Sequence, residues 1–161
     1  GVYAIGDVTG KMPLAHVASA QAVAAVEHIA GMETQPLDYA YMPRATYCQP
    51  QIASFGLTEA QAREQGHEVK VGTFNVMANG KALAMGETDG LVKLVVDACY
   101  GELLGGHMIG PEVTEPLDEL SMTRMLEGTT LELGWAVHPH PSISEMLKEA
   151  ALSAQGRALH M

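Results

Sequence analysis

The stretch LVKLVVDACYGELLGGHMI, residues 91–109, decides the fold class. Leu91–Asp97 and Leu103–Ile109 are short runs of aliphatic residues, several of them β-branched, which is typical of buried strands. Residues 98–102 between them include Gly101 and leave room only for a hairpin turn. The stretch therefore predicts two adjacent antiparallel strands.

Other segments predict a wider sheet that is followed by helices. Three further strands are predicted, at residues 45–47, 52–56 and 68–75. Helices are predicted over residues 58–66, 113–127, 129–137 and 142–155, and residues 76–89 predict a loop with a short helix. Thr58 and Thr129 begin capping boxes, and Pro116 interrupts the second helix near its start. This order predicts an α+β fold, in which helices pack on one face of an antiparallel β-sheet.

The N-terminal part of the chain predicts a separate, smaller piece. Residues 1–7 predict a buried strand, and residues 13–30 predict a helix with Pro13 in its first turn and Gly31 at its end. Residues 31–43 are rich in proline and polar residues and predict a linker. A chain that begins inside a predicted strand is expected to be part of a longer protein. We predict two domains, residues 1–37 and 38–161.

Composition and charge exclude several classes of function. The chain is 47% hydrophobic and 17% charged, as a globular protein is, and no apolar run approaches the ~18 residues of a membrane span. A net charge of −10 argues against binding to nucleic acid or to anionic membranes. The two cysteines, Cys48 and Cys99, lie far apart and form neither a zinc motif nor a disulfide framework. We therefore expect a cytoplasmic protein with reduced thiols.

The segment HPHPSISE, residues 138–145, is the candidate for chemistry. Histidine exchanges protons near neutral pH, and a carboxylate can fix its tautomer and stabilise its charged form. His140 lies between two prolines, and Glu145 is close enough in sequence to return to the imidazole from the next helix. Two alternatives stay open from the local pattern: Ser142 and Glu145 have the spacing of a capping box, and His138 with His140 could form half of a metal site.

Resemblance to a known family covers almost the whole chain. GVYAIGDVTG (residues 1–10) and PLAH (13–16) resemble the second FAD-contacting motif of the pyridine nucleotide–disulfide oxidoreductases and the helix start after it. LGGHMIGP (104–111) is similar to part of that family's dimerisation domain. HPHPSISE (138–145) resembles its terminal H-x-H-P-T-x-S-E motif, in the two-histidine form of the dihydrolipoamide dehydrogenases.

This resemblance implies roles for residues at both ends of the chain. Asp7 would bind the ribityl chain of FAD, and the helix start at Pro13, Leu14, Ala15 and His16 would face the flavin ring. His140 would be the base that deprotonates dihydrolipoamide, with Glu145 orienting it, and the bond from His140 to Pro141 would be cis. The electrons would pass to FAD and then to NAD.

The resemblance also implies partners. The histidine would act in the partner subunit of a homodimer, and the stripe of Met122, Met125 and Leu126 would lie in the dimer interface. The enzyme would serve the lipoyl domains of 2-oxoacid dehydrogenase complexes. Residues 1–37 would be the end of an FAD-binding domain and residues 38–161 the dimerisation domain.

The chain lacks parts that such an enzyme needs. It contains no GxGxxG dinucleotide fingerprint and no paired redox cysteines, so we expect the chain alone to be inactive. Position 142 is Ser where the family motif usually has Thr, and Pro116 falls where the family begins a smooth helix. Two alternatives stay open: a dimerisation module with no activity of its own, and another disulfide or NAD(P)H oxidoreductase of the same superfamily.

Overall fold

The computed structural model describes residues 1–160 and divides into two compact units, with the boundary between Met42 and Pro43. In the first unit, helix α1 runs from Ala15 to Ile29 within the predicted range. It ends where Gly31 adopts a left-handed conformation (φ 72°), a conformation that costs a residue without a Cβ little.

The predicted strand over residues 1–7 is wrong. Residues 1–5 belong to no strand, and Gly6–Thr9 form a 3-10 helix. A strand needs a neighbouring strand for its backbone hydrogen bonds, and within residues 1–160 none pairs with this segment. The segment is held instead by Gln21, whose buried side chain accepts from the Gly6 N–H at 2.6 Å and donates to the Tyr39 hydroxyl at 3.0 Å.

The second unit is built on a five-stranded antiparallel sheet with the order β1-β2-β5-β4-β3. Its strands are β1 Arg44–Thr46, β2 Gln51–Gly56, β3 Val69–Asn75, β4 Leu91–Asp97 and β5 Leu103–Gly110. The predicted hairpin of residues 91–109 is confirmed and forms the pair β4 and β5, with a register shift between Val95 and Val96. Since both of these strands have neighbours on each side, the apolar hairpin lies inside the sheet.

Five α-helices and one short 3-10 helix, Val76–Ala78, accompany the sheet in the described part of this unit. The α-helices are α2 Glu59–Glu64, α3 Gly80–Met85, α4 Leu117–Met125, α5 Thr130–Trp135 and α6 Glu145–Ala154. The predicted capping boxes at Thr58 and Thr129 are both present, with each threonine paired to the side chain three residues later. Helix α4 begins only after Pro116, which is its N-cap, because a proline is tolerated at a helix start but not inside it.

Helices α4 and α6 pack on the same face of the sheet. Gly72, Leu94 and Gly106 form one cross-strand row, so their side-chain positions point to one face. A Cβ added at Gly72 would lie 2.0 Å from the carbonyl oxygen of Ala150 in α6, and one at Gly106 would lie 2.4 Å from Leu120 in α4. The prediction of an α+β fold with helices on one face is confirmed. The close contact at Gly72 also fixes the position of α6, which begins with Glu145.

Candidate functional site

His140 and Glu145 meet where the loop after α5 enters α6. The Nδ1 atom of His140 lies 3.0 Å from Oε1 of Glu145. The His140 side chain is 75% exposed, whereas that of Glu145 is 24% exposed. The His140–Pro141 peptide bond is cis, as predicted. The structure therefore brings the predicted acid–base pair together at the surface, with the imidazole outermost.

Glu145 also performs the second role that the sequence offered as an alternative. Its Oε2 atom accepts a hydrogen bond from the backbone N–H of Ser142 at 2.8 Å, while Oε1 contacts His140. A full capping box would also need the Ser142 hydroxyl to accept from a backbone N–H of α6. That hydroxyl instead lies 3.0 Å from the hydroxyl of Ser144, and Ser144 is the N-cap of α6. One carboxylate thus holds the loop backbone and the imidazole together.

The charge on Glu145 determines which ring nitrogen of His140 carries the proton. Burial raises the pKa of Glu145, but the hydrogen bonds from Ser142 and His140 outweigh it and the pKa lies below its ordinary value. An ionised carboxylate only accepts hydrogen bonds, so Nδ1 of His140 must carry the proton. In a neutral ring, Nε2 then has a lone pair, and no group among residues 1–160 is hydrogen-bonded to it. That atom is placed to take up a proton.

A buried asparagine that sequence reasoning missed supports the loop. Asn79 is 3% exposed and caps α3 by accepting from the Ala82 N–H at 2.9 Å. Its amide donates to the Ser142 carbonyl at 2.9 Å, across a separation of 63 residues. Gly80, the next residue, faces the His140 ring: a Cβ there would lie 3.6 Å from it. No local pattern marks Asn79 for this contact.

A second histidine–glutamate pair lies in the same pocket as His140. Glu149, on α6, is 4% exposed and accepts from the backbone N–H groups of Leu159 and His160 and from Nδ1 of His160 at 3.0 Å. Burial raises the pKa of Glu149, but these hydrogen bonds outweigh burial, so the pKa lies below its ordinary value and the carboxylate stays charged. The pair fastens the C-terminal segment to α6, and the sequence carries no motif that predicts it.

The other histidine of the HPHP segment makes a different contact. Nε2 of His138 lies 2.6 Å from Oε1 of Glu119 in α4, and Nδ1 lies 3.0 Å from the Ala136 carbonyl oxygen. The hydrogen bond with Glu119 raises the pKa of His138, despite the burial that lowers it. Sequence reasoning missed Glu119, and His138 and His140 engage separate carboxylates.

The residues predicted to contact FAD lie in the first unit. Asp7 is exposed within the 3-10 helix, Pro13 and Leu14 precede α1, Ala15 begins it, and His16 lies in its first turn. No side chain caps this helix start, where Leu14 is the N-cap. The N-terminus of a helix carries partial positive charge and can face an anionic or polar group. These residues therefore fit the flavin contact implied for them, and that role stays a prediction.

Other kinds of site find no support among residues 1–160. No group of three or more histidine, cysteine, aspartate or glutamate side chains in this range is arranged to hold a metal ion. No helix in the same range is long and apolar enough to cross a membrane. Cys48 and Cys99 are both exposed and neither forms a disulfide.

The chain is similar to known proteins along nearly its whole length. Residues 42–151 match the family model of the pyridine nucleotide-disulphide oxidoreductase dimerisation domain. The chain is 60% identical over 149 residues to the dihydrolipoyl dehydrogenase of Mycobacterium leprae, covering 92% of this chain and 32% of that protein. It is 50% identical to the Bacillus subtilis enzyme of the same name, covering 99% of this chain and 34% of that protein.

Solved structures of other proteins also have a fold similar to that of this chain. LpdA from Mycobacterium tuberculosis superposes with a TM-score of 0.87 at 26% identity, covering 92% of this chain and 32% of that one. The flavoprotein disulfide reductase RclA from Escherichia coli superposes with a TM-score of 0.83 at 27% identity, covering 90% and 34%. The chain spans about a third of the length of the curated relatives it matches.

Proposed function

The chain belongs to the pyridine nucleotide-disulphide oxidoreductase family through its dimerisation domain, and from this we propose that it forms the C-terminal third of a dihydrolipoyl dehydrogenase. The enzyme would oxidise dihydrolipoamide to lipoamide and reduce NAD. The observation that carries the proposal is the His140–Glu145 pair, in which an exposed imidazole is held at Nδ1 by a charged, hydrogen-bonded carboxylate. We assign residues 1–37 to the end of an FAD-binding domain and residues 38–161 to the dimerisation domain.

His140 would act as the base for the substrate thiol. Its Nε2 atom takes the proton from dihydrolipoamide, and the imidazolium that forms is stabilised by Glu145 at 3.0 Å from Nδ1. The thiolate, which is the reactive form of the thiol, attacks a disulfide in the rest of the enzyme and displaces one of its sulfurs. The second thiol of the substrate then attacks the mixed disulfide, which releases the other enzyme sulfur and forms the disulfide of lipoamide. The hydrogen bond from the Ser142 N–H to Glu145 holds the loop and keeps the imidazole in one orientation. Little conformational entropy therefore has to be lost when the substrate reacts.

Bound FAD would supply the chemistry that carries the electron pair from the reduced disulfide to NAD. Within this chain, Asp7 would hold its ribityl hydroxyl groups. The start of α1, with Pro13 and Leu14 before it and Ala15 and His16 in its first turn, would present the positive end of the helix dipole to the flavin, where a helix N-terminus stabilises negative charge. Most of the contacts to both cofactors would come from the other two thirds of the enzyme.

We also propose that the enzyme acts as a homodimer, with His140 reaching the partner's site. Support comes from the family model, which is that of a dimerisation domain, and from the C-terminal end of α4. There Met122, Met125 and Leu126 are 52%, 77% and 73% exposed, and apolar surface of this kind is more stable when a partner covers it. Lipoyl domains of 2-oxoacid dehydrogenase complexes would be the macromolecular substrates, in the cytoplasm.

The test compares NADH formation from dihydrolipoamide by the full-length enzyme and its His140→Gln variant. We expect kcat to fall roughly 10²- to 10⁴-fold, the usual contribution of a positioned base, with FAD content and dimer intact. His67→Gln, the same change at a histidine outside the site, is the matched control and should keep wild-type activity. The 161-residue chain with added FAD should form no NADH, since its two cysteines are far apart in sequence.

Full activity of His140→Gln would show that the histidine is structural. A second candidate function is suggested by the similarity to RclA, a flavoprotein disulfide reductase. If the full-length wild type reduces other disulfides with NAD(P)H but does not oxidise dihydrolipoamide, that candidate replaces the first.

A further inference from the structure

His138 is held at both ring nitrogens by groups that accept hydrogen bonds. Nε2 contacts Oε1 of Glu119 at 2.6 Å, and Nδ1 contacts the Ala136 carbonyl oxygen at 3.0 Å. A neutral imidazole has only one N–H group and therefore cannot satisfy a carbonyl and an ionised carboxylate at once. Both contacts are satisfied when the ring carries two protons and a positive charge.

The surroundings of His138 stabilise the charged state of its ring. Its side chain is only 6% exposed and that of Glu119 is 29% exposed, and a buried charge is stable only when it is paired. Glu119 faces the ring from α4, and the Ala136 carbonyl faces it from the end of α5. From α6, the positive charge of Lys148 opposes the charge on His138, whereas the carboxylate of Glu145 interacts favourably with it. The short contact with Glu119 is the strongest of these effects.

We propose that His138 and Glu119 form a positioning pair, which ties the loop of residues 138–141 to α4 and so determines where His140 presents its Nε2 atom. This inference rests on the proposed function of His140 as the base. His138 itself touches no reacting group, and it acts through His140, from which one residue, Pro139, separates it.

The covalent path between the two histidines is stiff. The ring of Pro139 restricts its own φ and the conformation of the residue before it, and Pro141 restricts His140 in the same way. An ion pair that fixes the His138 ring therefore limits how far the backbone of His140 can move. A displacement of about 1 Å at a reacting group can reduce the rate roughly 10²-fold, so this anchor has a measurable effect on turnover.

The experiment measures kcat and KM separately in the FAD-loaded full-length dimer. Glu119→Gln keeps the shape of the side chain but removes its charge, and His138→Asn keeps a donor for the Ala136 carbonyl but loses the link to α4. Each should lower kcat about ten- to a hundredfold with little change in KM, because the effect concerns the position of the base. Asp118→Asn, the same charge change at the exposed neighbouring residue, is the matched control and should leave kcat unchanged.

Two further readouts separate a positioning pair from a general loss of structure. The double variant Glu119→Gln/His138→Asn should be no slower than either single variant, because both changes break the same link. In histidine-labelled enzyme near neutral pH, the ¹⁵N shifts of the His138 ring should be those of an imidazolium in the wild type and of a neutral ring in Glu119→Gln. This readout does not depend on activity.

Several results would overturn the inference. A neutral His138 ring in the wild type would remove its basis, and losses in kcat that multiply in the double variant would show that the two residues act independently. Wild-type kcat in Glu119→Gln, together with an inactive His140→Gln, would refute the positioning pair and leave the proposed function standing. An active His140→Gln would refute both.

Discussion

Two histidines on either side of Pro139 are each bonded to a glutamate, yet they differ in burial and in how many of their ring nitrogens are bonded. His138 is 6% exposed and has both ring nitrogens bonded. His140 is 75% exposed and has one ring nitrogen bonded within residues 1–160. The glutamate of His138 is 19 residues away in sequence, on another helix, whereas that of His140 is 5 residues away.

The difference shows that the bonds to the second ring nitrogen, more than the presence of a carboxylate, determine what a paired histidine can do. With an acceptor on each side, the ring of His138 is, in the positioning pair proposed above, a cation with no lone pair to offer. With a carboxylate on Nδ1 only, the ring of His140 can accept a proton at Nε2 and release it again. Two histidines separated by a single proline can therefore be suited to different roles, one as an anchor and the other as a base.

The largest expected effect comes from changing the partner of His140 while leaving its position intact. In Glu145→Gln, the amide oxygen can still accept from the Ser142 N–H, so the amide nitrogen faces Nδ1 and donates to it. The ring must then carry its proton on Nε2, where it cannot act as a base. We expect kcat of the full-length enzyme to fall roughly 10²- to 10⁴-fold.

Steady-state kinetics and the urea midpoint of the same variant provide the measurement. The midpoint should stay close to that of the wild type, because the loop contact at Ser142 survives. Glu64→Gln, an exposed change at the end of α2, should alter neither quantity. Retention of activity in Glu145→Gln would mean that the tautomer of His140 is not set by this carboxylate.

A smaller effect is expected on the free energy of unfolding. Here a change at the partner of His138 should matter more than a change at His140. Glu119→Ala leaves the buried His138 without its charged partner, and hydrogen bonds to charged groups contribute about 1.5–3 kcal/mol. His140→Ala removes an exposed ring and should change the free energy of unfolding by less than about 0.5 kcal/mol. Urea denaturation of the chain measures both. Equal losses in the two variants would mean that the anchor and the base are not distinct.

Local signals explain which parts of the fold could be predicted. The strand Leu91–Asp97 follows from its own apolar residues, and the capping boxes at Thr58 and Thr129 follow from a spacing of three residues. The contact of Glu145 with His140 spans only five residues. The local sequence presents the two roles of Glu145 as alternatives. In the structure both occur, because a carboxylate has two oxygens and each can accept from a different donor.

Features that depend on distant residues could not be predicted. The strand expected over residues 1–7 does not form, because strand formation requires a neighbour that the local sequence does not specify. Glu119 looks like an ordinary surface residue of a helix until the fold brings it to His138. Asn79 reaches Ser142 across 63 residues, and the only local sign of its importance is that it can cap α3.

The smallest expected effect is a dependence of stability on pH that belongs to His138. Its pKa is raised in the folded chain, chiefly by the hydrogen bond with Glu119, whereas the unfolded chain releases the proton near the ordinary value of about 6.5. Below that pH both states hold the proton and the contribution is fully present. As the pH rises through the folded pKa, the folded state must give up the proton, and the contribution is lost.

The comparison with Glu119→Gln isolates this contribution. Urea midpoints measured from about pH 6 to about pH 9 should fall with pH more steeply for the wild type than for the variant, since other titrating groups affect both equally. Identical slopes would show that His138 does not hold its proton more tightly in the folded chain. A steeper wild-type slope would mean that the anchor loosens in alkaline solution, so that the position of His140 depends on the protonation of a residue that never meets the substrate.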